Sequence, residues 1–293
     1  MDNLRGSLFM VFSMLLFAVE DMLVKLAAHS LPLGEIMAIE GMLGAIIFAL
    51  VARTNGQSPL PRAFLSPRIA TRSAFEVTGR LFYALAITLT PLSSASAILQ
   101  ATPLVVVAAA ALVLREPVGW QRWLAIFIGF AGVLMIVRPG TSGFSTLSLL
   151  ALVGMLGFAG RDLATRMAPP SLSSAQLGVA GFLMLALAGA LLLVHSGAVL
   201  WPTGTLPLIL AATAAVGTIA YHALTKAMRT GEVSAVTPFR YSRLLFGLAL
   251  GIIVFNEHPD ALTLLGSVVI VVSGLYTLAN GRSTPRNLAP RRL

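Results

Sequence analysis

Glu76, Arg80 and Tyr83 fall at i, i+4 and i+7, so a helix would place them on one face. A carboxylate, a guanidinium and a phenol in that arrangement suit one of two settings. They form the polar wall of a cavity, with Arg80 meeting a ligand carboxylate, or a self-neutralising Glu76–Arg80 pair packed against another helix. Further on, Ser93, Ser96 and Gln100 take the spacing i, i+3, i+7 ahead of Pro103. Ser234, Thr237 and Tyr241 repeat it around Pro238, joined by Arg240 and Arg243. Prolines inside apolar helices free backbone carbonyls that must find water, a neighbouring helix or a ligand. Gln100, Arg240 and Tyr241 are therefore cavity candidates, whereas the small hydroxyl residues are ordinary at helix contacts in lipid.

A second set of charges lies in Met14–Ala27, MLLFAVEDMLVKLA, which returns 141 positions later as Met155–Ala168, MLGFAGRDLATRMA. Six of the 14 positions are identical. Asp21 recurs as Asp162 and the basic Lys25 as Arg166, while Glu20 is exchanged for Arg161. Asp21–Lys25 and Asp162–Arg166 read as i, i+4 pairs that neutralise each other near a helix end. Glu20 and Arg161 lack such a partner and are expected to pair across the two copies or to face a ligand. Glu40 has no local partner either, so Glu20, Glu40 and Glu76 are the candidates for carrying a proton. Tyr221 and His222 add a ring, a hydroxyl and an imidazole able to titrate near neutrality, although a lone histidine equally suits packing.

These charges sit in a chain that water cannot host. Of its 293 residues 57% are hydrophobic and 11% charged, with mean hydropathy +0.89, against about 25% charged in soluble domains. It is a polytopic membrane protein. The net charge of +9 is explained by loop and tail arginines rather than by nucleic acid, since no basic run is interleaved with aromatics. The absence of cysteine excludes disulfides and thiolate sites, and the four histidines are scattered. The sequence holds no HExxH, GxSxG or phosphate-loop motif, so neither a metal nor a cofactor is expected.

Windows of about 20 apolar residues predict an all-α membrane fold of ten helices. Their approximate spans are 6–28, 33–52, 73–90, 92–114 and 120–137, then 147–168, 175–195, 206–228, 233–255 and 261–280. The first is read as a retained helix rather than a cleaved signal, despite Arg5 before it and Ala27–Ala28 at its end. Residues 6–137 form one five-helix half and 147–280 the other. A Gly/Ser/Thr linker, 138–146, separates them, and a basic tail, 281–293, is expected to be disordered. Arg53, Arg62, Arg68, Arg72, Arg115 and Arg122 fall in connections on one side, so both termini are placed in the cytoplasm. Glu116 matches Glu257 and Gln100 matches Tyr241 at the same offset of 141. Five helices per copy invert the second relative to the first, an architecture that offers inward- and outward-open states around a central cavity.

The pattern resembles the EamA-type branch of the drug/metabolite transporter superfamily. Phe17-Ala18 with Lys25 is similar to its first-helix signature, and Tyr83-Ala84-Leu85 through Ser93-Ser94-Ala95 to its helix 3–4 hairpin. Pro103, Arg115-Glu116-Pro117 and Gly129–Gly132 resemble its helix 4–5 unit. The second copy, from Pro238 through Glu257 to Gly274, is looser. The resemblance implies a monomeric inner-membrane carrier of small metabolites, with a cavity bounded mainly by the predicted helices 1, 3, 4, 6, 8 and 9. Within the branch the chain looks most like YddG-type exporters of aromatic and hydrophobic amino acids. A substrate of that kind would meet Glu20, Arg80, Tyr83, Gln100, Arg161, Tyr221, His222, Arg240 and Tyr241. A nucleotide-sugar or other metabolite carrier is the rival of the same class. An intramembrane enzyme acting on lipid through Glu76 or His222, and a purely structural subunit, are rivals of other classes.

Overall fold

The computed structural model describes residues 2–113, 115, 118–139, 145–166, 172–197, 199–230 and 236–279. The basic tail, Ser234, Glu116 and most of the linker lie outside them, as does the side chain of Arg166. The described residues are helical: α1 (Asp2–Ala27), α2 (Leu33–Thr54), α3 (Pro67–Leu89), α4 (Leu92–Leu99), α5 (Thr102–Val113) and α6 (Trp120–Val137) come first. Then follow α7 (Ser148–Arg166), α8 (Ser174–Ser196), α9 (Leu206–Thr230), α10 (Ser242–Phe255) and α11 (Ala261–Ala279). A 3₁₀ turn, Thr237–Tyr241, leads into α10, and a shorter one, Arg62–Leu65, precedes α3. Counting α4–α5 as one span, and the 3₁₀ turn with α10 as another, gives ten.

Seven of these spans are long and apolar enough to cross a bilayer, and two shorter apolar helices accompany them. The tenth, α3, carries Arg68, Arg72, Glu76 and Arg80. It starts six residues earlier than its hydropathy predicts. Ser66 caps it by accepting from the Ile69 N–H at 3.4 Å, and Pro67 occupies the first turn, where its missing N–H costs nothing. The same kind of local signal starts α8, where Ser173 and Gln176 satisfy each other's backbone N–H in a capping box.

Two spans expected to be continuous are broken. Pro103 cannot donate to the Leu99 carbonyl and its ring collides there, so the chain turns at Gln100–Ala101 between α4 and α5. The freed carbonyl accepts from the Thr102 hydroxyl at 2.5 Å. In the other half Pro238 is the second residue of the 3₁₀ turn, and the Arg240 carbonyl is taken by the Gln100 amide at 3.0 Å.

Helix contacts follow the repeat. α1 packs on α9 and α3 on α7, contacts that exchange when the halves exchange, while α2 packs on α8, α4 on α10 and α6 on α11. Small residues allow these approaches. A Cβ at Gly41 would lie 2.3 Å from the Ala186 nitrogen, and one at Gly157 would lie 2.4 Å from the Gly79 nitrogen. Both neighbours are backbone and cannot yield. Gly41→Val and Gly157→Val are each expected to cost at least the roughly 1–3 kcal/mol typical of overpacking. Gly119→Ala, where added bulk meets open space, should stay within about 0.5 kcal/mol. Thermal unfolding in detergent micelles measures all three.

Candidate functional site

Between the halves lies a cavity of about 400 Å³. It runs from Ser174 at the start of α8, Met228 near the end of α9 and Thr165 near the end of α7 down to Val24 and Ile87. Thr165, Ser174 and Met228 are half-buried whereas Val24 and Ile87 are buried, so its mouth is at the arginine-rich side and its floor near the opposite ends of α1 and α3. Besides the helices expected, α2 contributes Met37 and Glu40, and α8 contributes Ser174, Leu177 and Leu185.

Buried charges need partners in hydrocarbon, and here they are arranged around Glu76, 2% exposed. Its Oε2 accepts from Arg72 Nη2 at 3.1 Å. Its Oε1 accepts from Arg161 Nη1 at 3.3 Å and, more loosely, from Arg80 Nε at 3.4 Å. Arg161 also grips Asp162 at 2.7 Å and lies over the Phe158 ring. Arg72 reaches the Thr165 hydroxyl across the α3–α7 contact at 3.0 Å. A second group centres on Asp21, whose Oδ2 accepts from Arg243 at 2.7 Å and from the Tyr83 hydroxyl at 3.0 Å. Arg243 sits over the rings of Phe17 and Tyr83.

Several sequence expectations are corrected by this geometry. The side chain that Asp21 engages is Arg243 rather than Lys25. Glu20 and Arg161 do not pair across the copies: Glu20 faces Arg80 at 3.5 Å, and Arg161 takes Glu76 and Asp162. Arg72, assigned to a cytoplasmic loop, is 3% exposed and ion-paired. Its spacing of four from Glu76 was the available signal. The Glu76–Arg80 pair and the cavity wall, taken as alternatives, coexist, since Arg80 lines the cavity.

The remaining candidates divide between two places. Glu20, Arg80, Tyr83, Gln100, Arg161, Tyr221, Arg240 and Tyr241 line the central cavity, as does Glu40. Tyr221 stands edge-on to Phe48 and Phe182. The buried Tyr241 hydroxyl has no hydrogen-bond partner among the described residues. Arg240 is the most accessible cavity arginine, with 28% of its side chain exposed against 4–18% for the others. Its contact with Asp162, 3.7 Å, is the longest of the described ion pairs. His222 instead lines a second cavity of about 390 Å³, between the ends of α2 and α9 and the start of α8. Ser174 and Thr225 border both cavities.

Beyond the cavity floor Lys25 and Glu257 form a clamp, paired at 3.1 Å. Lys25 also donates to the Thr90 carbonyl at 2.8 Å. Glu257 accepts from the Leu92 and Ser93 N–H groups at 2.6 and 2.9 Å, at the positive end of α4. Asn256, at φ 51°, turns the chain so that the carboxylate reaches them. α1, the α3–α4 hairpin and the α10–α11 loop are thereby tied together at the closed end.

An inverted pair of five-helix halves enclosing a charged, one-sided cavity defines a multi-pass membrane transporter. More particularly, the chain belongs to the EamA-like transporter family, whose model matches it twice, over residues 4–138 and 143–279. It is 30% identical to the pseudopaline exporter CntI of Pseudomonas aeruginosa over 92% of this chain and 94% of that one. It is 22% identical to the S-adenosylmethionine uptake transporter of Rickettsia prowazekii, over 94% and 92% of the two chains. The riboflavin transporter of Vibrio cholerae is 26% identical over 92% and 91%. A solved crystal structure with 19% identity, covering 95% of this chain and 98% of the other, has a TM-score of 0.63 and shares the fold.

The clamp has a pH signature. Burial opposes ionisation of Glu257, but the Ser93 and Leu92 hydrogen bonds and the charge of Lys25 outweigh it and hold the carboxyl below its ordinary 4.5. A depressed folded-state value means the stabilisation is complete above pH 4.5 and is lost as pH falls through the lower, folded-state value. Glu257→Gln is expected to cost about 1.5–3 kcal/mol at neutral pH, the worth of a hydrogen bond to a charged group. The difference from wild type should close well below pH 4.5. Unfolding curves showing a pH-independent gap would contradict this account.

Proposed function

We propose that the protein is a secondary carrier of the cytoplasmic membrane that exports small amphipathic zwitterions by alternating access. Aromatic and hydrophobic amino acids are the simplest substrates of that description. The observation that carries the reading is the cavity's mixed lining. An accessible guanidinium at Arg240 suits a carboxylate, Glu20 and Glu40 suit an ammonium, and Tyr221, Phe158 and Met14 suit an apolar or aromatic body. A volume of about 400 Å³ lies at the small end of ligand pockets, roughly 300–1,000 Å³. The mouth on the arginine-rich side and the clamp on the other describe a state ready to load from the cytoplasm. Export is further supported by the near full-length similarity to an exporter.

A second reading has its own support. The relatives named for pseudopaline, S-adenosylmethionine and riboflavin favour a larger metabolite over an amino acid.

Flux of a labelled panel from proteoliposomes, containing amino acids and these three metabolites, decides between them. Saturable L-phenylalanine flux is expected, and Arg240→Ala should weaken its half-saturation about 10-fold or more. That is the effect of losing one charge-assisted hydrogen bond of about 1.5–3 kcal/mol. Flux of a larger metabolite, with none for any amino acid, would replace the first reading by the second.

A further inference from the structure

The second cavity, of about 390 Å³, differs from the first in its chemistry. Among the described residues no carboxylate lines it, while Lys226, His222, Asn55 and Gln57 all do. Each of these four carries an N–H donor. The Lys226 ammonium stands 4.9 Å from the centroid of the Phe9 ring on α1, a contact that leaves its charge unneutralised. Ser173 donates to Gln57 Oε1 at 2.6 Å, so the amide NH₂ is the end of Gln57 left to bind something else. One cation among several donors, with no acid beside them, suits an anion.

The helix faces that lead to the cavity narrow the choice of anion. On α2, Ile47, Val51 and Asn55 follow one another at i, i+4 and i+8. On α9, Ile219, His222 and Lys226 do so at i, i+3 and i+7. Ile47, Val51 and Ile219 are exposed, so each face passes from apolar to polar on the way to the arginine-rich side. The rise from Ile219 to Lys226 is about 10 Å, which places the apolar part in the hydrocarbon and the ammonium toward the headgroups. A soluble phosphate compound would use the donors but not the exposed isoleucines beyond them. A phospholipid uses both, and basic pockets between helix ends on the cytoplasmic side suit its head group.

We propose that the cavity between α2, α8 and α9 binds an anionic phospholipid of the inner leaflet. Its phosphodiester meets Lys226, His222 and Asn55, and an acyl chain runs along Ile47 and Ile219. α2 belongs to the first half and α8 and α9 to the second, so the head group bridges the halves. Ser174 and Thr225, which also border the central cavity, put this bridge beside the mouth. What the central cavity carries has no bearing on the site.

Native mass spectrometry of the purified full-length protein, titrated with dioleoylphosphatidylglycerol in detergent micelles, tests the site. Wild type is expected to retain this lipid several-fold better than dioleoylphosphatidylcholine, whose chains are the same and whose head is neutral overall. Lys226→Gln should weaken retention of the anionic lipid about 10-fold, the order expected for one charge-assisted hydrogen bond. His222→Leu, which keeps bulk and removes the N–H, should weaken it several-fold. Arg68→Gln removes an exposed cation on the same side outside the cavity and should leave retention unchanged. Equal retention of the two lipids by wild type overturns the proposal. So does retention unchanged in both Lys226→Gln and His222→Leu, or a loss in Arg68→Gln as large as in Lys226→Gln. Displacement of the lipid by an equal concentration of glycerol 1-phosphate overturns the lipid and leaves a site for a soluble phosphate.

Discussion

The placement of Glu76 among three arginines is the constraint on which the interior depends. A carboxylate at 2% exposure is tolerable only if its charge is met, and Arg72, Arg80 and Arg161 meet it from two helices belonging to opposite halves. That requirement fixes the rotation of α3 against α7, which the small residues Gly79 and Gly157 then allow to close. Once those helices are set, Arg161 is aimed at Asp162, and Arg80 is left between Glu76 and Glu20. Replacing the network by apolar side chains could pack equally well, but it would leave no polar surface for a ligand to enter.

The membrane class, the ten spans and the two copies were legible because they rest on composition and periodicity, which leave a mark on every residue. The cavity candidates were legible for a related reason. Gln100, Arg240 and Tyr241 are too polar for lipid and too large for a small-residue contact. Pairing was not legible. Asp21 has a cation four residues away in Lys25, yet its partner is Arg243, 222 residues distant, and Lys25 instead crosses 232 residues to Glu257. Reading along one helix shows the neighbours that spacing supplies, whereas the tertiary contact decides which neighbour is used. Arg72 was misplaced for the complementary reason, since hydropathy ends a span at an arginine and cannot see a carboxylate waiting one turn on.

The two ends of the cavity are built from different physics. At the mouth the lining thins to Ser174, Thr225 and Met228. The closed end combines an apolar layer, Val24, Ile87, Leu92 and Ile98, with a charged tie laid over it. The apolar layer excludes water without choosing a geometry, and the tie supplies the geometry. Glu257 reaches two backbone donors at the start of α4 as well as Lys25, so opening this end means giving up all three bonds at once. Such a closure favours two discrete positions over a continuum.

The two interrupted spans share a place in the repeat. Gln100–Ala101 and Tyr241–Ser242 stand at the same place in the two copies, yet the prolines beside them do not correspond. Pro103 follows its break and Pro238 precedes its own, opposite Leu244 and Ala97 in register. The two copies thus interrupt the regular α-helix at one place in the repeat with differently placed prolines. The Gln100 amide bound to the Arg240 carbonyl ties the two interruptions together, so they sit as a single joint between the halves.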